Sequence, residues 1–129
     1  MALFTHIVVG TNDPEASAAF YDATFGALGI AGSRMGDSAY YGSYADGFFS
    51  VGRPRNGEPA THANGGTIGL AAATQDQVDA WHAAGLANGG TCDGPPGRRD
   101  MPDTALYGAY LRDPAGNKIC AFTTNVDQA

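Results

Sequence analysis

Residues 6–21 read His6-Ile-Val-Val-Gly-Thr-Asn-Asp-Pro-Glu-Ala-Ser-Ala-Ala-Phe-Tyr21, a strand pattern followed at once by a helix start. The apolar, β-branched run at the beginning predicts a strand. Asp13 then offers an N-cap acceptor, Pro14 suits the first helical turn, and Glu15 adds a carboxylate near the positive end of the helix dipole. Helical spacing of alanines and an aromatic residue continues as far as Gly29, so a helix is predicted after the strand.

The same order of elements returns in the second half of the chain. Thr67-Ile-Gly-Leu-Ala71 predicts a strand, and Thr74-Gln-Asp-Gln77 has the spacing of a helix capping box. A helical stripe of apolar residues follows and ends at Asn88-Gly-Gly90. The sequence therefore predicts a duplicated unit.

The two halves can be aligned with each other. An offset of 61 superimposes the first strands, the helix caps and the helix aromatics: Thr67 on His6, Thr74 on Asp13 and Trp81 on Phe20. An offset of 69 superimposes the hairpin turns and the last strands: Gly116 on Gly47 and Cys120 on Val51. Because a unit of about 60 residues is marginal on its own, we predict one domain, residues 1–129, with repeats of about 1–58 and 64–129. The predicted fold class is α+β, with two βαβββ modules.

The segments between these landmarks are rich in glycine and aromatic residues. Over residues of about 30–58, aromatic, small and glycine residues alternate around an Asp46-Gly47 turn. This pattern predicts a meander of strands. Leu106–Arg112 and Asn117–Thr123 predict a hairpin. Gly94-Pro-Pro-Gly-Arg-Arg99 lacks the pattern of a phosphate-binding loop, and we predict that it is a connector between elements.

Acidic residues outnumber basic ones in this chain of 129 residues. There are 13 Asp and Glu against 7 Lys and Arg, which gives a net charge of −6. This balance disfavours nucleic acid and anionic membranes as partners, because both attract clustered cations. No apolar run approaches the roughly 20 residues of a membrane span, and the first residues lack a signal-peptide pattern. Two cysteines are too few for a disulfide scaffold. We therefore expect a cytoplasmic protein with free thiols.

Four motifs carry a family resemblance: His6-Ile-Val-Val9, Asp13–Tyr21, Val78-Asp-Ala-Trp-His82 and Tyr110-Leu-Arg-Asp-Pro-Ala-Gly-Asn-Lys-Ile119. In this order they resemble the vicinal oxygen chelate (VOC) superfamily of glyoxalases, bleomycin resistance proteins and dioxygenases. The resemblance implies two βαβββ modules whose strands form a curled mixed sheet around an open cavity. It also implies a homodimer, because members of the family are commonly dimers.

Family enzymes typically hold a divalent metal in this cavity, and the resemblance places the four ligand positions at His6, Val51, Thr67 and Cys120. His6 keeps the usual ligand type, whereas Val51 has no donor atom and Thr67 offers a neutral hydroxyl. We therefore expect the usual metal site to be degenerate and no cofactor to be bound. The open alternative is a divalent metal held by His6 and Cys120 with a further ligand such as His62.

The cavity side chains are the candidates for function. His6 and Cys120 are the candidate catalytic residues, with Cys120 either a reactive thiol or a small buried hydrophobe. Because strand side chains alternate, about half of the aromatic residues are expected to face the cavity. The candidate ligand-binding set is Tyr40, Tyr41, Phe49, Val51, Thr67 and Tyr110. His82 is expected on the side of its helix away from the sheet, and Cys92 has no evident partner.

Three functions are compatible with these residues. The first is a protein of the glyoxalase/bleomycin resistance type that binds a small molecule in an aromatic cavity. The second is a lyase, isomerase or dioxygenase that uses an irregular metal site, or His6 as a general base, since imidazoles exchange protons near neutral pH. The third is sequestration of a cationic antibiotic, which the net charge of −6 favours.

Overall fold

The computed structural model describes residues 3–127. The ends of the predicted domain, residues 1–2 and 128–129, lie outside the described residues. The elements, in chain order, are β1 (His6–Gly10), α1 (Pro14–Ala27), β2 (Gly32–Met35), β3 (Ser38–Ser43), β4 (Gly47–Gly52), β5 (Ile68–Ala71), α2 (Gln75–Ala87), β6 (Thr91–Arg98), β7 (Tyr107–Arg112) and β8 (Lys118–Thr123).

The strands form two four-stranded mixed sheets with matching topology. The first sheet has the order β1-β4-β3-β2 and the second has the order β5-β8-β7-β6. In each sheet the first strand runs parallel to the last strand of its module, and the other neighbours are antiparallel. The predicted α+β architecture of two βαβββ modules is confirmed, and the strands are divided between two sheets that do not close into one.

Both helices begin at the residues that the sequence predicts. The Asp13 side chain accepts a hydrogen bond from the backbone N–H of Ala16, and the Thr74 side chain accepts one from the N–H of Gln77. These bonds satisfy backbone donors that a helix N-terminus leaves without an intrahelical partner. The two caps therefore fix where each helix departs from its preceding strand.

One continuous hydrophobic core joins the two modules. Phe20 of α1 and Trp81 of α2 hold equivalent positions and are both fully buried. A Cβ atom added at Gly85 would lie 2.3 Å from Leu111 and 3.2 Å from Phe20, so α2 approaches α1 and β7 closely at a residue without a side chain. The missing side chain lets the second helix pack tightly between the first helix and the second sheet.

The prediction of a connector at residues 94–99 is wrong for residues 94–98. Residues up to Arg98 belong to β6, an edge strand that pairs with β7. The register shifts between Cys92 and Gly94 and again between Gly94 and Gly97. An edge strand with such irregularities tolerates prolines, because only one side of it must donate hydrogen bonds.

The predicted offset of 69 between the hairpins is also wrong. Tyr40 pairs with Ser50 across β3 and β4, and Tyr110 pairs with Cys120 across β7 and β8. The structural offset is therefore 70, and the counterpart of Cys120 is Ser50. The two hairpins have the same length, and the difference lies in the turn glycine: Gly47 directly precedes Phe48, whereas Gly116 lies two residues before Lys118, the counterpart of Phe48.

No helix within residues 3–127 is long and apolar enough to cross a membrane.

Candidate functional site

Each sheet has one face against the helices and one open face. In the first sheet, Tyr41, Phe49 and Val51 pack into the core on the helix side. Because side chains alternate along a strand, their neighbours Tyr40, Phe48 and Ser50 lie on the other, open face. On β1, the residues paired with Phe48 and Ser50 lie on the same face: His6 and Val8.

Strand β4 corrects one predicted ligand-binding residue. Val51 is 1% exposed and belongs to the core cluster, so its side chain cannot meet a ligand on the open face. Ser50, its neighbour, points to the open face and supplies a hydroxyl where the sequence alignment had placed an apolar side chain.

His6 and Phe48 lie side by side on the neighbouring strands β1 and β4 of the open face. Their rings are stacked with centroids 5.0 Å apart and planes within 10° of parallel. The register that pairs His6 with Phe48 across β1 and β4 produces this contact. The Thr5 hydroxyl lies 2.9 Å from Nδ1 of His6. His6 is thus held by one polar and one aromatic neighbour.

A cavity of about 310 Å³ lies beside this stacked pair. Its wall is mainly apolar. The apolar residues that line it come from the segment before β1, the core and the second module: Phe4, Ile7, Phe25, Tyr41, Phe49 and Leu70. His6 and Asp46 are the side chains that bring ring nitrogens and a carboxylate to it. An apolar wall with few polar groups is typical of small-molecule sites. Tyr41 and Phe49, although buried, therefore contribute ring surface to the cavity.

A second depression of about 390 Å³ adjoins the first on the far side of Phe48. Tyr40 and Tyr44 flank Phe48 there, with ring centroids 5.8 Å and 4.8 Å from it. Arg34 borders this depression and pairs with Asp22. The hydrogen bond from Arg34 lowers the pKa of the Asp22 carboxyl, which also accepts a bond of 2.8 Å from the Tyr41 hydroxyl. Phe48 thus separates two neighbouring concave surfaces.

The open face of the second sheet has different chemistry. Tyr110 stands edge-on to Phe122 with ring centroids 5.6 Å apart, and the Lys118 ammonium lies 5.1 Å from the Tyr110 ring centroid. Cys120 is 5% exposed, and burial raises the pKa of its thiol to about 11. At neutral pH this thiol is protonated, which makes it a weak nucleophile.

The structure brings some of the predicted residues together and separates others. His6, Tyr41 and Phe49 share the first cavity, whereas Cys120 does not line it. Thr67 is exposed and lines a different cavity, of about 310 Å³, near Val8 and Lys118. The two candidate catalytic residues therefore belong to different sheets and different surroundings.

The donor set at these positions does not fit the metal site of the family. Within residues 3–127, no three His, Cys, Asp or Glu side chains lie close enough together to hold a metal ion. The four structurally matched positions offer one imidazole at His6, neutral hydroxyls at Ser50 and Thr67, and the protonated thiol of Cys120. Divalent metals in proteins are held by imidazole, carboxylate or thiolate groups, so this set is poor.

Sequence reasoning did not select Phe48 or the contact between His82 and Cys92. Phe48 could not be selected from the sequence, because only the register of β1 against β4 places it beside His6. His82 is buried and faces β6, with Nε2 located 3.1 Å from Sγ of Cys92. The expectation that His82 points away from the sheet is therefore wrong, and Cys92 has a partner. The strand assignment of β6 was the signal that could have revealed it.

Comparisons with known proteins agree with this architecture. The model of the Glyoxalase/Bleomycin resistance protein/Dioxygenase superfamily matches residues 3–121. No curated protein sequence matches significantly. A glyoxalase/bleomycin resistance protein from Albidiferax ferrireducens T118, known as a crystal structure, is 53% identical, with 95% of this chain and 99% of that chain covered and a TM-score of 0.89.

More distant structures show the same fold. A glyoxalase-related enzyme from Fulvimarina pelagi is 22% identical, with 95% of this chain and 88% of that chain covered and a TM-score of 0.71. Lactoylglutathione lyase from Agrobacterium tumefaciens is also 22% identical, with 95% of this chain and 94% of that chain covered and a TM-score of 0.62. The match to the family model and the 53% identity show that this chain belongs to the Glyoxalase/Bleomycin resistance protein/Dioxygenase superfamily.

Proposed function

We propose that this protein binds a small, flat, largely apolar molecule in the cavity bordered by His6 and Phe48, without the metal of the family enzymes. The observation that carries the proposal is the stacked pair of His6 and Phe48 beside an apolar cavity. Phe48 is only partly buried, so one edge of the pair is open to a further ring. Aromatic rings gain about 0.5–1.5 kcal/mol from such contacts beyond the burial of their area.

The charges around the cavity favour a neutral or cationic ligand. Asp46 is an exposed carboxylate on the cavity wall. Arg34, which borders the adjoining depression, is paired with Asp22. With a net charge of −6, the protein as a whole also attracts cations. These features support the sequestration of a cationic aromatic compound as one form of the proposed function.

Acid–base catalysis is the second candidate, and the contact between Thr5 and His6 favours it. When Nδ1 of His6 carries the ring proton and donates it to the Thr5 hydroxyl 2.9 Å away, Nε2 is left unprotonated, as a general base requires. In this version a substrate in the cavity would give its proton to His6, and the reaction would be an isomerisation or a lyase reaction. The donor set argues against an irregular metal site in one chain.

We also propose a cytoplasmic homodimer as the working form. The support is the exposure of apolar side chains at or near the open face of the first sheet: Phe4, Val8, Met35 and Tyr44. A second copy could cover them and enclose the ligand more fully than one chain does.

The test uses three compounds with one ring system and different charges: tryptamine, indole and indole-3-acetate. Calorimetric titration of the metal-free protein should give the tightest binding for tryptamine and the weakest for indole-3-acetate. In Phe48→Ala, binding should weaken about tenfold, because a stacking contact worth about 1.4 kcal/mol is lost. Met101→Ala removes another exposed apolar side chain, away from both depressions, and should bind like the original protein.

Two results would overturn the proposal. One is a failure of the ligand test, which means either that none of the three compounds binds or that Phe48→Ala and Met101→Ala bind tryptamine equally well. The other is stoichiometric binding of zinc, nickel or manganese that creates lyase or dioxygenase activity. Turnover of an α-oxoaldehyde–thiol adduct without metal, lost in His6→Ala, would favour the acid–base candidate instead.

A further inference from the structure

Cys92 and His82 form a thiol–imidazole pair outside the cavities described above. His82 lies on α2 and Cys92 on β6, and Nε2 of the imidazole is 3.1 Å from Sγ. This distance is short for a contact that involves sulfur, and it lets the thiol donate a hydrogen bond to Nε2 when the ring proton is on Nδ1. A nucleophile within hydrogen-bonding reach of a histidine base is the recurring arrangement of activated thiols.

The protonation of His82 suits the role of a base. The side chain is 8% exposed, and its burial lowers the pKa of the imidazole, with Asp79 one turn earlier on α2 acting in the opposite direction. The imidazole is therefore neutral at pH 7, and in the tautomer with its proton on Nδ1 the Nε2 atom is able to accept the proton of the thiol.

The other charged groups near the pair are engaged elsewhere. Asp93 follows Cys92 on β6 but belongs to the opposite face of the strand, where it pairs with Arg112 and Lys118. On the neighbouring strand β7, the residue opposite Cys92 is the apolar Leu111. Asp79 accepts a hydrogen bond of 2.6 Å from the Tyr107 hydroxyl. The environment of the thiol is thus set mainly by His82.

Accessibility separates the two cysteines of the chain. Cys92 is exposed on an edge strand, whereas Cys120 is buried and has a pKa raised to about 11. A reagent in solution can reach the first sulfur, while the second is both covered and protonated. The chain therefore contains its own internal reference thiol.

We propose that Cys92, assisted by His82, is a reactive thiol and a site of covalent modification by peroxides. In the reaction with hydrogen peroxide, the sulfur attacks one peroxide oxygen and the O–O bond breaks. The thiol proton moves through Nε2 of His82 to the leaving hydroxide, so the products are a sulfenic acid and water. Because Cys120 is buried on another strand, a small thiol then condenses with the sulfenic acid, releases water and forms a mixed disulfide.

The experiment compares alkylation rates. Native protein is treated with iodoacetamide at pH 7, and the modified cysteine is identified by peptide mass spectrometry, with N-acetylcysteine as the reference. Cys92 should react about tenfold faster than N-acetylcysteine, and Cys120 should remain unmodified until the protein is unfolded. In His82→Gln the rate at Cys92 should fall about tenfold. Hydrogen peroxide followed by dimedone should label Cys92 with the same dependence on His82.

A second measurement does not depend on the folding of the variant. For the original protein, the alkylation rate should fall less than tenfold between pH 8 and pH 7, whereas the rate of an unassisted thiol of ordinary pKa falls about tenfold per unit. A Cys92 that reacts no faster than N-acetylcysteine and follows the tenfold slope would overturn the proposal. So would an unchanged rate in a His82→Gln protein whose circular dichroism shows that it is folded.

Discussion

The hydroxyl of Tyr21 donates a hydrogen bond of 2.6 Å to the carboxylate of Asp113 and so joins helix α1 to the hairpin turn of the second module. Asn117 adds two further bonds, from its side-chain amide to Asp113 at 2.9 Å and to the carbonyl of Gly10 at 3.1 Å. Asp113 is 4% exposed. A buried carboxylate with several donors thus connects the two repeats, and its cost of burial is met only while the donors are present.

Tyr21→Phe should lower the free energy of unfolding by about 1–3 kcal/mol, because Asp113 loses a donor in a buried site. Urea denaturation at pH 7 measures this change. Tyr107→Phe is the matched control, since that hydroxyl makes a bond of the same 2.6 Å length to Asp79 at the surface. The control should change stability by no more than about 0.5 kcal/mol. Equal losses in the two variants would show that burial of the pair contributes nothing.

The same pair should affect stability at alkaline pH. Burial, followed by the charge of Asp113, raises the pKa of Tyr21 well above its usual value. A raised pKa means that the stabilisation is complete below about pH 10, the value in the unfolded chain, and is lost as the pH rises further. The difference in unfolding free energy between the original protein and Tyr21→Phe should therefore narrow above pH 10. A difference that widens there would contradict this assignment.

Substitution by alanine should change the free energy of unfolding in opposite directions at two helical glycines, Gly85 and Gly26. At Gly85 the new methyl group would lie 2.3 Å from Leu111, a fully buried side chain, so we expect a loss of about 1–3 kcal/mol. At Gly26 no atom lies within 4 Å of the added Cβ, so alanine should stabilise α1 by up to about 1 kcal/mol through helix propensity. Thermal denaturation of both variants measures the pair, and a gain at Gly85 would show that Leu111 can move aside.

The fold could be predicted because its signals are local. Each helix carries its own cap and its own buried aromatic residue: Asp13 and Phe20 in the first module, Thr74 and Trp81 in the second. The repetition of these signals indicates two modules. Strand β6 was missed because its two prolines are typical of a connector, and only its position at a sheet edge makes them compatible with a strand.

The site was less predictable because it depends on register. The turn glycine stands one position earlier in the second hairpin than in the first, so an alignment on the two glycines shifts the last strands by one residue. A shift of one residue exchanges the two faces of a strand. Val51 was therefore placed in the cavity instead of Ser50. Phe48 and the contact between His82 and Cys92 arise between segments distant in sequence. No periodicity in a single segment reports such pairs.

Variants of His6 should separate ligand binding from acid–base chemistry. His6→Phe keeps a ring beside Phe48, so tryptamine binding should stay within about threefold of the original value. His6→Ala removes the stacking partner and should weaken binding about tenfold. If the protein is an enzyme, both variants should lose turnover, because neither retains a proton acceptor. Tighter binding in His6→Ala than in His6→Phe would contradict the stacking role.

We expect a homodimer, because the first sheet exposes apolar side chains to solvent. Val8 is 63% exposed and Tyr44 is 77% exposed, although valine and tyrosine side chains of this kind usually find cover. Strand β1 is also an edge strand, whose free backbone groups can pair with another chain. Light scattering at micromolar concentration should give about twice the chain mass of 13.2 kDa. Val8→Glu places a charge on this face and should give the mass of one chain.

Met101→Glu is the control for the dimer, because Met101 is 59% exposed outside both sheets. It carries the same added charge and should remain dimeric. Tryptamine binding tests whether the dimer encloses the ligand. If a second copy encloses it, the affinity for tryptamine should fall in Val8→Glu and stay unchanged in Met101→Glu. A mass near 13.2 kDa for the original protein at every concentration would refute the dimer. A dimer that Val8→Glu leaves intact would place the interface on another surface.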